Sequence, residues 1–91
     1  MMQRLFKVLS SEIRLKILKR LLESEEPQCY CELVEELGKD RSVIYRHFKK
    51  LENAGLIETR KEGKRLEGSV RKPETVRKML ELAEKVKQDG D

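Results

Sequence analysis

Two cysteines separated by one residue, Cys29 and Cys31, are the side chains of this 91-residue sequence whose type and spacing point most directly to chemistry. A thiol pair can hold a thiophilic ion or can be oxidised. On a regular helix, residues i and i+2 face different ways, so the two sulfurs can converge only if the turn carrying them is irregular or unwinds. That distortion could itself be a switch. A helix N-terminus favours thiolates, whereas the six glutamates between residues 23 and 36, a stretch with no base, oppose them. Cysteines this close make a poor structural disulfide. The sequence shows neither a signal peptide nor a membrane segment, so a reducing, cytoplasmic setting is expected. The plain alternative is a reduced pair that caps or packs a helix end.

The other candidates for chemistry are fewer. His47, the only histidine, directly precedes the apolar Phe48 and reads as a packed or backbone-bonded imidazole. No nucleophile with an orienting acid accompanies it. The sequence holds no Gly-rich phosphate loop, zinc-ligand quartet or triad order, so no enzyme is expected, and no cofactor is required. Tyr30 lies between the cysteines, and Tyr45 falls on a polar helix face.

The elements that must position these residues are legible around them. Cys31 to Leu56 reads as two short amphipathic helices joined by a glycine turn, a helix-turn-helix over residues 31–54. Leu33, Val34 and Leu37 form the apolar side of the first helix, with Gly38 at its C-cap. Asp40 offers an N-cap to the second, in which Ile44, Phe48 and Leu51 make a buried stripe. The opposite face carries Arg41, Ser42, Tyr45, Arg46 and Lys49, side chains suited to a DNA major groove and its phosphates. A solvated helix face is the bland alternative.

Charge placement favours the nucleic-acid reading. The chain has 21 Lys and Arg against 17 Asp and Glu, a formal net charge of +4. Residues 40–72 hold ten bases and five acids, which leaves eleven bases and twelve acids elsewhere. The positive excess therefore belongs to the second helix and the segment after it. That segment, residues 56–70, reads as a β-hairpin with Glu62-Gly63 as a two-residue turn. In this register Ile57 opposes Gly68, Thr59 opposes Leu66, and Arg60 meets Arg65, a like-charge pair that costs stability without a nearby anion. A hairpin with basic residues Arg60, Lys61, Lys64 and Arg65 is a wing suited to the phosphate backbone.

With 37% hydrophobic and 4% aromatic residues, 91 residues make one small domain with a modest core. Met2, Leu5, Phe6 and Leu9 form a stripe on a first helix. Ser11 caps a second, whose buried face is Ile13, Ile17, Leu18, Leu21 and Leu22. Residues 24–28 form a connector, and Pro73 opens a last helix with Val76, Met79, Leu80, Ala83 and Val86 on one face. Residues 88–91 are expected to fray. The expected fold is mainly α with a small β-hairpin, a winged helix-turn-helix in the order ααααββα. The terminal helices, residues 1–9 and 73–88, either fold back on their own core or pair with a second copy through Leu5, Phe6, Val76, Met79, Leu80 and Ala83. Two-fold pairing would present two recognition helices to half-sites about 34–36 Å apart.

The segments FKVLSSEIRLKILKRL and CYCELVEELGKDRSVIYRHFKKLENAGLIETRKEGK resemble the ArsR/SmtB family of prokaryotic winged-helix repressors, over about Leu5 to Val70. The resemblance implies a homodimer joined by the first and last helices, a double-stranded DNA operator whose occupancy blocks transcription, and release by an inducer. Arsenical repressors carry a Cys-x-Cys-x-x-Cys array here that binds As(III) or Sb(III), so the resemblance implies As(III), Sb(III) or Cd(II) as the inducer of a two-cysteine site. Cys29 and Cys31 match its first two positions, and Val34 stands at the third. The histidines and carboxylates that other members place on the last helix are not matched. Two further readings stay open: a winged helix used for protein contacts, and a constitutive DNA-binding regulator that senses nothing.

Overall fold

A computed structural model describes residues 2–90, and the side chains of residues 2–86. The chain runs through α1 (Met2–Leu9), α2 (Glu12–Leu22), β1 (Gln28–Cys29), α3 (Tyr30–Leu37), α4 (Arg41–Asn53), β2 (Ile57–Glu62), β3 (Arg65–Val70) and α5 (Pro73–Gly90). It is a mainly helical winged helix-turn-helix. The helices come in the expected order, with a two-residue strand inserted where the sequence suggested only a connector. That strand, β1, pairs antiparallel with β3 (Gln28↔Gly68, Cys29↔Glu67), so the wing is the larger part of a three-stranded sheet ordered β1-β3-β2. α5 is helical to Gly90, and Asp91, the last of the residues expected to fray, lies outside the described residues.

Local signals account for several helix ends. The Ser11 side chain accepts a hydrogen bond from the Arg14 amide at 3.2 Å and starts α2. α3 closes at Gly38, whose N–H donates to the Val34 carbonyl. Asp40 occupies the N-cap of α4, yet its carboxylate makes no capping hydrogen bond. Its carbonyl instead accepts from the Val43 and Ile44 amides, and its charge favours the positive end of the helix.

The core lies where α2, α3, α4 and the sheet meet. Ile17, Leu18, Ile44, Phe48 and Leu51 are fully buried, with Leu33 and Ile57 beside them. Phe48 is the centre of this arrangement. A Cβ on Gly68 would lie 2.8 Å from the Phe48 ring, so only glycine lets β3 approach α4 this closely.

The hairpin register differs from the expected one. Ile57 pairs with Val70, Thr59 with Gly68, Arg60 with Glu67 and Glu62 with Arg65, leaving Gly63-Lys64 as the turn. Gly63 has φ +63° and no non-glycine residue among those described has positive φ, which fits the glycine-first requirement of a type II′ turn. A shift of two residues leaves every side chain on its original face, so apolar patterning could not separate the registers. The turn and the charges separate them. Arg60 faces a carboxylate, and the expected Arg60–Arg65 clash does not arise.

Candidate nucleic-acid interface

The outward face of α4 carries Arg41, Ser42, Tyr45 and Arg46, all exposed, with Lys49 half-buried at its edge. These residues do not offer equal charge. Among the described residues Arg41, Arg46 and Lys50 have no ion-pair partner, whereas the Lys49 ammonium lies 2.9 Å from the Glu52 carboxylate. That hydrogen bond raises the Lys49 pKa. Glu52 is held below the usual carboxylate range, first by the Thr59 hydroxyl that donates to it and then by Lys49. Glu52 thereby links α4 to β2. Lys50, absent from the sequence-derived site, belongs to the free cations; it was passed over because the helical spacing counted from Arg41 skips it.

The wing is more strongly self-neutralised. Arg60 reaches Glu62 at 3.3 Å and Glu67 at 3.8 Å, and Arg65 reaches Glu67 at 3.5 Å and Glu32 of α3 at 3.6 Å. Glu67 thus lies between the two arginines expected to repel one another. Lys61 and Lys64 are exposed and unpaired among the described residues; Lys64 lies in the turn and Lys61 near the end of β2.

Tyr30 connects the cysteines to this face. Its ring meets Tyr45 edge-on at 5.7 Å and Phe48 at 6.2 Å, and the Arg41 guanidinium lies 6.0 Å from its centroid. On either side of it Cys29 and Cys31 are joined by a disulfide, their Cα atoms 5.1 Å apart. The sulfurs converge because the turn that carries them is irregular, one of the two routes open to a pair at i and i+2, and α3 itself does not unwind. Cys29 is not within the helix at all. It is the extended N-cap residue (φ −68°, ψ 138°), its sulfur accepts from the Cys31 amide at 3.2 Å, and α3 begins normally at Tyr30. Cys29 is buried and Cys31 half-buried. As a metal site the donor set falls short: Val34 supplies no third sulfur, and no group of three or more His, Cys, Asp or Glu side chains able to hold an ion occurs among the described residues.

The terminal stripes lie apart from the DNA-facing residues. Phe6 and Ala83 are exposed, Leu5, Met79 and Leu80 half-buried, and Val76 is buried in its own protomer's core. Phe6, Leu9, Leu15, Leu22, Met79 and Leu80 line an open apolar groove between α1, α2 and α5. Met2, Leu82 and Val86 add exposed apolar surface. No described helix is long and apolar enough to cross a membrane.

His47 is half-buried, as expected, and its partner is a side chain from another helix. The Arg14 guanidinium donates through Nη1 to His47 Nδ1 at 3.1 Å and through Nε to the Val8 carbonyl at 2.6 Å. Arginine has no acceptor, so Nδ1 must be unprotonated and Nε2 carries the ring proton. Thirty-three residues separate the two side chains, too far for any local spacing to signal the contact.

Comparison with known proteins places this arrangement. The family described as "Bacterial regulatory protein, arsR family" matches residues 11–59. The uncharacterized HTH-type transcriptional regulator MJ1325 of Methanocaldococcus jannaschii is 39% identical over 59 residues, 65% of this chain and 65% of its own length. A second regulator of that organism, MJ0229, is 45% identical over 51 residues, 56% of this chain and 52% of its own length. The chain therefore spans between half and two thirds of the curated relatives it matches. Among solved structures, reduced HlyU from Vibrio cholerae is 31% identical with a TM-score of 0.73, covering 91% of this chain and 84% of that one. The homodimeric winged helix-turn-helix DNA-binding domain of Mb0332 from Mycobacterium bovis has a TM-score of 0.80 over 97% of this chain and 79% of that one. At 24% identity it is a likeness of fold alone.

Proposed function

We propose that this chain, which belongs to the arsR family of bacterial regulatory proteins, is a homodimeric, cytoplasmic repressor whose α4 reads an operator and whose cysteine pair controls its release. Family and fold are those of a DNA-binding transcriptional regulator, not of an enzyme. The observation that carries the reading is that the exposed cations of α4, Arg41 and Arg46 with Lys50 further round the helix, have no ion-pair partner among the described residues. Cations left without carboxylates on a helix of this exposure suit phosphates and guanine edges. A protein-contact module would have no need of them. The dimer is supported by the apolar groove between α1, α2 and α5 and by the homodimeric form of the Mb0332 domain.

Thiol oxidation suits the donor set better than ion binding, since a two-sulfur site lacks the third ligand of an arsenical site. In this reading Cys31, the more accessible thiol, attacks a low-molecular-weight disulfide as the thiolate and expels one thiol. Cys29 then attacks the mixed disulfide at the Cys31 sulfur, forming the protein disulfide and releasing the second thiol. Tyr30, fixed between the two sulfurs, carries the change to Tyr45 and Arg41.

The test is binding of the protein to duplexes selected by it from a random pool, in reduced and oxidised samples, with salt varied. Preferred sites, a steep salt dependence and weaker binding on oxidation are expected, with Cys29→Ser/Cys31→Ser indifferent to oxidant. Equal affinity in both redox states would leave a constitutive regulator. No preferred duplex would overturn the DNA-reading function itself.

A further inference from the structure

We propose that Arg14 and His47 form a proton-sensitive tie that holds the recognition helix α4 against α1 and α2, so that protonating His47 loosens the grip on DNA. The proposal deepens the DNA-binding reading above and rests on it.

Arg14 is the buried charged side chain of the core, 9% exposed, and no carboxylate lies within ion-pair distance of it among the described residues. An uncompensated buried guanidinium is costly unless its donors are satisfied by well-placed acceptors. The acceptors come from two other helices: the Val8 carbonyl of α1 and the His47 imidazole of α4. A single side chain therefore joins the terminal helix to the helix that carries Arg46. The rest of the contact between α2 and α4 is apolar, through residues such as Ile17, Leu18, Ile44 and Phe48, and sets no direction as a hydrogen bond does.

The acceptor at His47 exists only while the ring is neutral. Burial first, and then the cations Arg14 on α2 and Lys50 and Arg46 on its own helix, lower its pKa below the ordinary imidazole value. No anion is among the groups that act on it. Proton uptake puts a hydrogen on Nδ1, opposes it to a donor, and sets imidazolium against guanidinium. The sign follows from linkage. Above the unfolded pKa of about 6.5 the tie is complete. As pH falls the unfolded chain takes the proton first, and stability is lost through the lower folded value. The displaced group is the one that orients α4, so DNA affinity falls with it.

One histidine in the sequence makes the test direct, because its imidazole signals titrate alone. Nitrogen-resolved NMR of the parent should show the Nε2–H tautomer and a depressed titration, which moves upward in Arg14→Gln. Binding to a duplex selected by the parent is then compared at about pH 7.5 and about pH 5.5, at fixed redox state. His47→Gln keeps an acceptor and cannot titrate. It should match the parent at the higher pH and hold DNA better than the parent at the lower, by less than about tenfold, the ceiling for an imidazole whose pKa lies below its ordinary value of about 6.5. His47→Leu should be weak at both.

A shared pH profile for the parent and His47→Gln, or parental affinity in His47→Leu, would overturn the proposal. So would tighter binding in acid that depends on His47, since the imidazolium would then be a phosphate contact. If Arg14→Gln does not fold, the pH dependence of unfolding, present in the parent and flattened in His47→Gln, takes its place. Should no duplex be selected, the DNA reading fails. The tautomer and titration still decide the tie, and an Nδ1–H ring would remove it.

Discussion

The recognition helix and the wing carry similar numbers of bases and differ in what those bases can do. On α4, among the described residues, Arg41, Arg46 and Lys50 have no ion-pair partner and only Lys49 is paired. In the wing, both arginines are tied to Glu67 and only Lys61 and Lys64 remain unpaired among the described residues. Counting charge along a sequence gives a region's net sign, whereas the available charge depends on which carboxylates the fold brings near. The helix is thus built to engage an anion without first breaking an ion pair, and the wing to engage one mainly at its tip.

Both regions hang on one ring, and removing it should erase the difference between them. Phe48→Ala takes away the side chain that packs under Gly68 and beside Tyr30. A loss of about 3–5 kcal/mol is expected from denaturant unfolding, and a loss below 1 kcal/mol would mean that helix and wing are held independently.

Arg46→Ala tests the helix alone. It should cost about 1–3 kcal/mol on a preferred duplex and much less on random DNA, provided the guanidinium makes a bidentate base contact. Equal losses on both duplexes would reduce α4 to a phosphate-binding element.

The smallest effects are expected in the wing, and they sharpen the comparison most. Glu67→Gln removes the carboxylate that Arg60 and Arg65 share and leaves Arg60 with Glu62 and Arg65 with Glu32, so binding to random DNA should tighten slightly and its salt dependence steepen by no more than one phosphate contact, about 0.9 in the log–log slope. Lys64→Ala should flatten that slope by about one contact while leaving sequence preference intact. An unchanged Glu67→Gln would show that Glu62 and Glu32 alone keep the two arginines from phosphate.

The sequence made the helix-turn-helix readable because α4 is strongly amphipathic and the Gly38 and Asp40 signals lie at its borders. It gave the wing's faces but not its register, since apolar patterning repeats every two residues. β1 escaped notice because two residues after a proline carry no periodicity. The cysteines were recognised as a pair, yet the geometry that joins them depends on Cys29 belonging to the sheet and Cys31 to α3. Lys50 and the Arg14 contact to His47 were missed for a related reason: which cations are free, and which are buried, is decided by tertiary neighbours.

The two-residue strand β1 has a consequence for the order in which the chain assembles. Gln28 pairs with Gly68, forty residues later, while β2 and β3 close across a two-residue turn. The hairpin is a local event, and β1 can dock only after the segment between Gln28 and Gly68 has come together. Its docking should therefore be among the later steps of folding, with the start of α3 set last. Since β1 contributes so few hydrogen bonds, the same edge should also be among the first to open in the native protein. Amide exchange at Gln28 and Cys29 should be faster than at the centre of α4, and kinetic access to the Cys29 sulfur should follow that opening rather than global unfolding.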